Sequence, residues 1–191
     1  MKTKIDIPFY SQHSLDIEES WRPRCCGVVC VKMIIDFLCD QNLTPTTNEL
    51  IQEGVAMGGY ESRGWYSDAL VRLLRNYGLV AYCQEFRSLH FDQDQKTFEE
   101  QNLDNRMLRK GIEKIISEMK WEIPVIASFT PGFNGNGSNH LVTLTGYVED
   151  GVGIEGFYFH DPNEPSYWPH HFIEIERFRR YWRRIAIFVE K

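Results

Sequence analysis

Cys26 stands at the start of an apolar run, Cys25 to Leu38, with Pro23 and Arg24 just ahead of it. A thiol in the opening turn of a helix meets the positive end of the helix dipole and unpaired backbone N–H groups, and both favour the thiolate. That is the setting of a nucleophile. Gly27 beside it removes a side chain where a substrate backbone has to approach closely. Cys30 and Cys39 read as buried thiols, because free cysteine is among the most buried residue types. Cys25 leaves an ambiguity: it is either the reactive thiol itself or a neighbour able to trap Cys26 as a disulfide.

A thiol nucleophile needs a base, and the chain offers His13, His90, His140, His160, His170 and His171. His140 is the best placed of these. It opens the run Leu141 to Val148 directly after the glycine- and asparagine-rich stretch Pro131 to Gly137, a position that lines a cleft rim rather than a core. If that strand turns back through Glu149-Asp150-Gly151, antiparallel pairing centred between Asp150 and Gly151 sets Asp161 opposite His140. A carboxylate beside an imidazole fixes its tautomer and stabilises its charged form. The same Asp161-Pro162-Asn163 run also reads as an ordinary turn.

The elements that must position these groups follow from hydrophobic period. Ile5, Ile7 and Phe9 alternate with Asp6 and Pro8, as in a short edge strand. The helix from about Cys25 to Leu38 carries only Lys32 and Asp36 as charges and belongs at the centre of a domain. Thr44 to Glu49 offers hydroxyl caps and a carboxylate for a helix using Leu50, Ile51 and Val55 and ending near Gly58-Gly59. Ser67 is expected to cap the next, with Leu70, Val71, Leu73 and Leu74 inward and a stop at Asn76-Tyr77-Gly78. Leu79 to Tyr82 reads as a strand. The polar stretch Arg87 to Asn105 reads as a long loop or flap, and Leu108, Ile112, Ile115, Ile116 and Met119 restore a helical period. Ile123 to Phe129, His140 to Val148, Phe157 to His160 and Ile185 to Val189 are strand candidates, with a helix over Glu174 to Arg184. Helices first and strands later argue for an α+β fold with an antiparallel sheet. The expected organisation is one domain over 1–191, helical to about residue 120 and β-rich from 121.

Composition narrows the function. The 191 residues are 42% hydrophobic and 25% charged, with a net charge of −6. That balance is globular and gives no attraction to nucleic acid or an anionic membrane. No stretch approaches the roughly 20 apolar residues of a membrane span, and the N-terminus lacks the apolar segment of an export signal. Five cysteines, an odd number, read as reduced thiols in a cytoplasmic protein. There is no Cys-x-x-Cys, so neither a metal site nor a cofactor is expected. The arginines at 177, 179, 180, 183 and 184 read as a solvated helix face. Trp65, Tyr66, Trp168 and Trp182 are either cleft or core, Trp65 being the possible cleft residue.

The ordered set Pro8-Phe9-Tyr10-Ser11-Gln12, Cys26-Gly27, Asn139-His140-Leu141-Val142 with Thr145-Gly146-Tyr147, His160-Asp161-Pro162 and the aromatic stretch Phe178 to Trp182 resembles papain-like cysteine peptidases. The particular resemblance is to the bacteriocin-processing, double-glycine leader peptidase family, and it runs along nearly the whole chain. It implies a papain-like fold with Cys26 as nucleophile, His140 as general base, Asp161 as its orienting partner, Gln12 as an oxyanion-hole donor and Asn139 near the cleft. The residue before the glycine is the one that matches, which favours Cys26 over Cys25. The chain differs from the transporter-linked members in the longer interval from Gln12 to Cys26 and in Val28 after the Cys-Gly pair. The expected activity is hydrolysis of a peptide or isopeptide bond in a peptide or protein substrate. An acyltransferase using the same residues and a catalytically silent peptide-binding domain are the alternatives.

Overall fold

The computed structural model describes residues 1–39, 44–62, 64–87, 97–130, 139–165 and 171–190. Its elements in chain order are β1 (Lys2–Lys4), α1 (Cys26–Leu38), α2 (Thr47–Ala56), β2 (Tyr60–Glu61), β3 (Gly64–Trp65), α3 (Ser67–Asn76), β4 (Val80–Glu85), α4 (Phe98–Lys120), β5 (Val125–Phe129), β6 (His140–Glu149), β7 (Ile154–His160), β8 (His171–Glu174), α5 (Ile175–Tyr181) and β9 (Trp182–Glu190). The main sheet has the order β4-β9-β5-β6-β7-β8, with β1 added alongside β6, and β2-β3 forms a small separate hairpin. Its pairings are antiparallel. This is the α+β architecture that the segregated pattern anticipates.

Both faces of the sheet are covered. On one face α1, α2 and α3 pack Val28, Val31, Ile35, Leu50, Leu70 and Leu74 against Ile126, Ile187 and Val189. On the other, α4 and α5 pack Ile112, Ile115, Met119 and Phe178 against Phe129, Leu144, Phe157 and Phe188. A central strand between two such layers has no polar face, so β5 is buried at every position. α1 has nine buried residues among thirteen, which is why its sequence is apolar nearly all round.

The termini of the helices show which local signals acted. Thr46 caps α2 with a capping box to Glu49, and Thr97 caps α4 with one to Glu100. α4 thus starts ten residues before Leu108, inside the stretch that reads as a loop. Its first turns have little apolar period because they lie in solvent; the capping box and the Asp104–Arg184 ion pair at 2.6 Å hold them. Residues 88–96, with His90, lie outside the described residues. Ser67 does not cap α3: Tyr66 occupies the N-cap without a side-chain bond, and the Ser67 hydroxyl engages Cys83 on β4. Val55, expected inward on α2, is 44% exposed.

Other boundaries move for reasons outside the local pattern. The short strand expected in the first ten residues is Lys2–Lys4; Ile5 and Ile7 follow it and are buried in opposite layers as the chain passes round the sheet. The last helix ends at Tyr181, and Arg183 and Arg184 belong to β9, where Arg184 takes a left-handed φ of 60°. These two arginines are not on a solvated helix face: Arg183 donates to Ser128 Oγ at 3.2 Å and Arg184 pairs with Asp104. Trp182 is core, Tyr66 is exposed, and Trp168 lies outside the described residues.

Gly156 on β7 lies so close to β8 that a Cβ would meet the Ile173 carbonyl oxygen at 2.2 Å and the Phe172 ring at 2.6 Å. A backbone oxygen cannot rotate away, so Gly156→Ala has to push β8 off the sheet. Urea unfolding is expected to show a loss of about 1–3 kcal/mol, the usual range for overpacking; an unchanged midpoint would contradict this register.

Candidate active site

The first turn of α1 packs closely on the head of β6. Gly27 is buried, and a Cβ there would sit 2.9 Å from Leu141 Cδ1 and 2.9 Å from Leu70 Cδ1. Its missing side chain therefore serves helix-to-sheet packing beneath the cleft, not access of substrate to the cleft as its position beside Cys26 suggests. With α1 seated this closely, Cys26 at its first position comes close enough to His140, the residue before Leu141, for its thiol to help raise the histidine pKa.

Asp161 completes the group. Its Oδ1 is 2.6 Å from His140 Nε2, and both side chains are 14% exposed. With Nε2 committed to the carboxylate, Nδ1 is the ring nitrogen left for the thiol. The contact arises differently from the hairpin expectation. The β6–β7 turn is centred one residue later, with Asp150 Oδ1 accepting from the Val152 and Gly153 N–H groups, and Thr143 rather than Leu141 stands opposite His160. Two irregularities, between Leu144 and Gly146 and between Val148 and Glu149, interrupt the ladder. Asp161 lies past the end of β7 in the turn that Asp161-Pro162-Asn163 suggests, and its carboxylate reaches back to the ring. The turn itself holds the acid: Asn163 N donates to Asp161 Oδ1 at 2.9 Å.

The electrostatics follow from these contacts. Burial on its own lowers the His140 pKa, but hydrogen bonds and charge from Asp161 and Cys26 outweigh it and raise it from 6.5 to about 10. Burial raises the Asp161 pKa, yet His140 and the Asn163 N–H more than offset it, leaving the carboxyl below its ordinary 3.8. An imidazolium between a carboxylate and a sulfur is thereby favoured. Burial also sorts the thiols. Cys25 is fully buried with its pKa pushed up to about 12, and Cys30 is buried against Thr143 and raised well above the ordinary value. Cys39 and Cys83 are raised too, again chiefly by burial. All five cysteines are free, and Cys26 is the one that lines the cleft.

The cleft has a volume of about 590 Å³. Gln12, Trp65 and Asn139 line it together with Cys26, His140 and Asp161. Gln12 is 4% exposed; its backbone N–H donates to Pro162 O at 2.7 Å, its backbone carbonyl accepts from Cys25 Sγ at 4.0 Å, and its Nε2 donates to Asn163 Oδ1 at 3.4 Å. Trp65 is tethered by its indole N–H to Arg24 O at 2.9 Å and packs with Trp21 and Tyr60. Sequence reasoning missed Tyr60, Asn163, Glu164, His171, Phe172 and Arg177, which also line the cleft. Tyr60 sits in a two-residue strand among glycines, and β8 buries only Ile173, so neither has a readable period; Asn163 had its signal in the Asp-Pro-Asn turn. His170 lies outside the described residues. Among the described residues there is no group of three or more His, Cys, Asp or Glu side chains suited to a metal ion, and no helix is long and apolar enough to cross a membrane.

Comparison with known proteins identifies the family and the fold. The profile of the Peptidase_C39 like family matches residues 4–186, and the chain belongs to that family. Among solved structures, a candidate C39-like peptidase from Bacillus anthracis is 16% identical, with a TM-score of 0.67 over 100% of this chain and 98% of that one. A double glycine motif protease from an AMS/PCAT transporter, solved in complex with the leader peptide, is 17% identical with a TM-score of 0.55, covering 99% of this chain and 97% of that one. The peptidase domain of Streptococcus ComA, a bi-functional ABC transporter, is 16% identical with a TM-score of 0.53, covering 87% and 91%. These likenesses establish the papain-like fold of C39 peptidases. No curated protein matches in sequence.

The paired shifts of His140 and Asp161 have a sign that can be tested. The raised histidine pKa stabilises the fold fully below about pH 6.5, and that contribution is lost as pH rises towards about 10. The lowered aspartate pKa stabilises it above about pH 3.8, and that contribution is lost as the pH falls below this. The stability difference between wild type and Asp161→Asn is expected to be largest between about pH 4 and 6.5 and to shrink on either side. A difference independent of pH in chemical denaturation would refute the ion pair.

Proposed function

We propose that the chain is a cysteine peptidase, one papain-like domain over 1–191, that hydrolyses a peptide or isopeptide bond through Cys26, His140 and Asp161. The observation that carries this reading is the contact chain Cys26 to His140 to Asp161 inside a cleft large enough for a peptide segment. Membership of the C39-like family and the leader peptide bound to a structural relative support a peptide as substrate. The five free thiols support work in the cytoplasm.

The Cys26 sulfur, its proton passed to His140, attacks the scissile carbonyl carbon. The carbonyl oxygen takes the displaced electron pair and is stabilised by the Gln12 amide and the Cys26 backbone N–H. One such donor typically contributes about 3 kcal/mol to lowering the barrier. As the tetrahedral adduct collapses to a thioester, His140 gives its proton to the departing amine. Neutral His140 then takes a proton from water, which attacks the thioester and releases the acid and the thiolate. Asp161 holds the ring in one orientation and stabilises its charged form throughout.

Cys26→Ala is expected to lower the rate of peptide hydrolysis by on the order of 10⁴-fold or more, and Asp161→Asn by on the order of 10²–10⁴-fold with the fold retained. The same Cys26→Ala change is expected to remove the fast phase of iodoacetamide labelling, because the other thiols are buried or raised in pKa. Undiminished labelling would reassign the nucleophile. Product analysis with an added amine separates hydrolysis from acyl transfer, and an amide product in place of free acid would overturn the hydrolase.

A further inference from the structure

Two loops from distant parts of the chain meet at a residue that the proposed reaction does not use. Asn163 follows Asp161 by two positions and contacts both proposed ends of the catalytic machinery. Its backbone N–H donates to Asp161 Oδ1 at 2.9 Å, and its side-chain Oδ1 accepts from Gln12 Nε2 at 3.4 Å. The same Oδ1 is 3.1 Å from His13 Nε2. His13 is itself held by a turn, its backbone N–H donating to Ser11 Oγ at 3.1 Å while Gln12 N–H donates to Pro162 O at 2.7 Å. The Gln12-His13 pair and the Asp161–Asn163 turn therefore clasp each other across the end of the cleft.

The donor inventory makes this clasp directional. A carboxamide nitrogen carries two protons and its oxygen carries none. Asn163 Oδ1 has no proton to give, so the group of Gln12 facing it is the NH₂, which donates at 3.4 Å. One Gln12 N–H is then committed to Asn163, and the other remains for an oxygen in the cleft. Without Asn163 the amide is free to rotate, and its carbonyl, which has no hydrogen-bond partner among the described residues, can turn to where the donor is needed. An oxygen there repels an oxyanion where a donor stabilises it.

We propose that Asn163 is a positioning residue that fixes the orientation of the Gln12 amide for oxyanion stabilisation, with His13 locking the Asn163 side chain in turn. The proposal rests on the peptidase reading and on Gln12 as its oxyanion donor. Asn163 touches no reacting atom. Of the proposed catalytic groups its side chain touches Gln12, whereas the bond to Asp161 comes from its backbone and survives substitution.

Two probes separate these functions. A peptide aldehyde adds the Cys26 sulfur to its carbonyl carbon and leaves an oxygen at the oxyanion position, with the added proton supplied by the imidazolium and no leaving group. Iodoacetamide alkylation displaces iodide and makes no oxyanion. In Asn163→Ala, aldehyde affinity is expected to fall about 10-fold while the rate and pH profile of alkylation stay as in wild type. Gln12→Ala is expected to weaken the aldehyde strongly in the wild-type background and by less than about 2-fold on top of Asn163→Ala, the non-additivity of two residues acting as one unit. His13→Ala, which removes the lock and leaves Asn163 in place, is expected to move affinity the same way by a smaller factor. Fully additive losses, an unchanged aldehyde affinity in Asn163→Ala, or a shifted alkylation profile would each overturn the proposal. A wild-type protein that alkylates but binds no aldehyde overturns the peptidase reading along with it, whereas wild-type binding with an indifferent Asn163→Ala overturns the positioning role alone.

Discussion

The seating of α1 on the first residues of β6 is the constraint on which the site depends. Cys26 and His140 are more than a hundred positions apart, and each is only as well placed as the element that carries it. The absent side chain of Gly27 lets the first turn of the helix lie against Leu141 and Leu70, and a Cβ there would oblige those two leucine side chains to shift. In a closely packed interior such shifts pass to their neighbours. The rest of α1, buried along most of its length between the sheet and α2 and α3, makes that seating rigid.

Burial then does two kinds of chemical work with one residue type. Three cysteines crowd the start of α1, and residue type and position leave Cys25 and Cys26 both open as the reactive thiol. The interior withholds charge from Cys25 and Cys30 by denying them water, while Cys26 faces a cleft and an imidazole. Desolvation also acts on His140, but there the carboxylate and the sulfur outweigh it. The same low-dielectric surroundings that silence two thiols strengthen the interactions around the third.

Much of this architecture was legible along the chain. The apolar run of α1, the stripes of α3 and the second half of α4, the capping threonine of α2 and the buried strand β5 each follow from the period or chemistry of neighbouring residues. What escaped is where local period is silent. The first turns of α4 lie in solvent and show no stripe; β8 buries a single residue; β2 and β3 are too short to alternate. Ser67 is a good cap by type, but Cys83 on a neighbouring strand takes its hydroxyl. Arg183 and Arg184 suit a helix until Ser128 and Asp104 offer them partners on the sheet.

The site divides the same way. Residue types and spacing alone point to a thiol at the start of α1, favour His140 and put Asp161 near the ring, because a helix start, a strand start and a hairpin return are short-range features. The pairing register, the exact turn that carries the acid, the choice among three thiols and the meeting of Gln12 with Asn163 belong to the tertiary structure. Each of those depends on bulges, close approaches and water exclusion between segments far apart in sequence. A local pattern records which side of an element faces inward, and it holds no record of which atom will be waiting there.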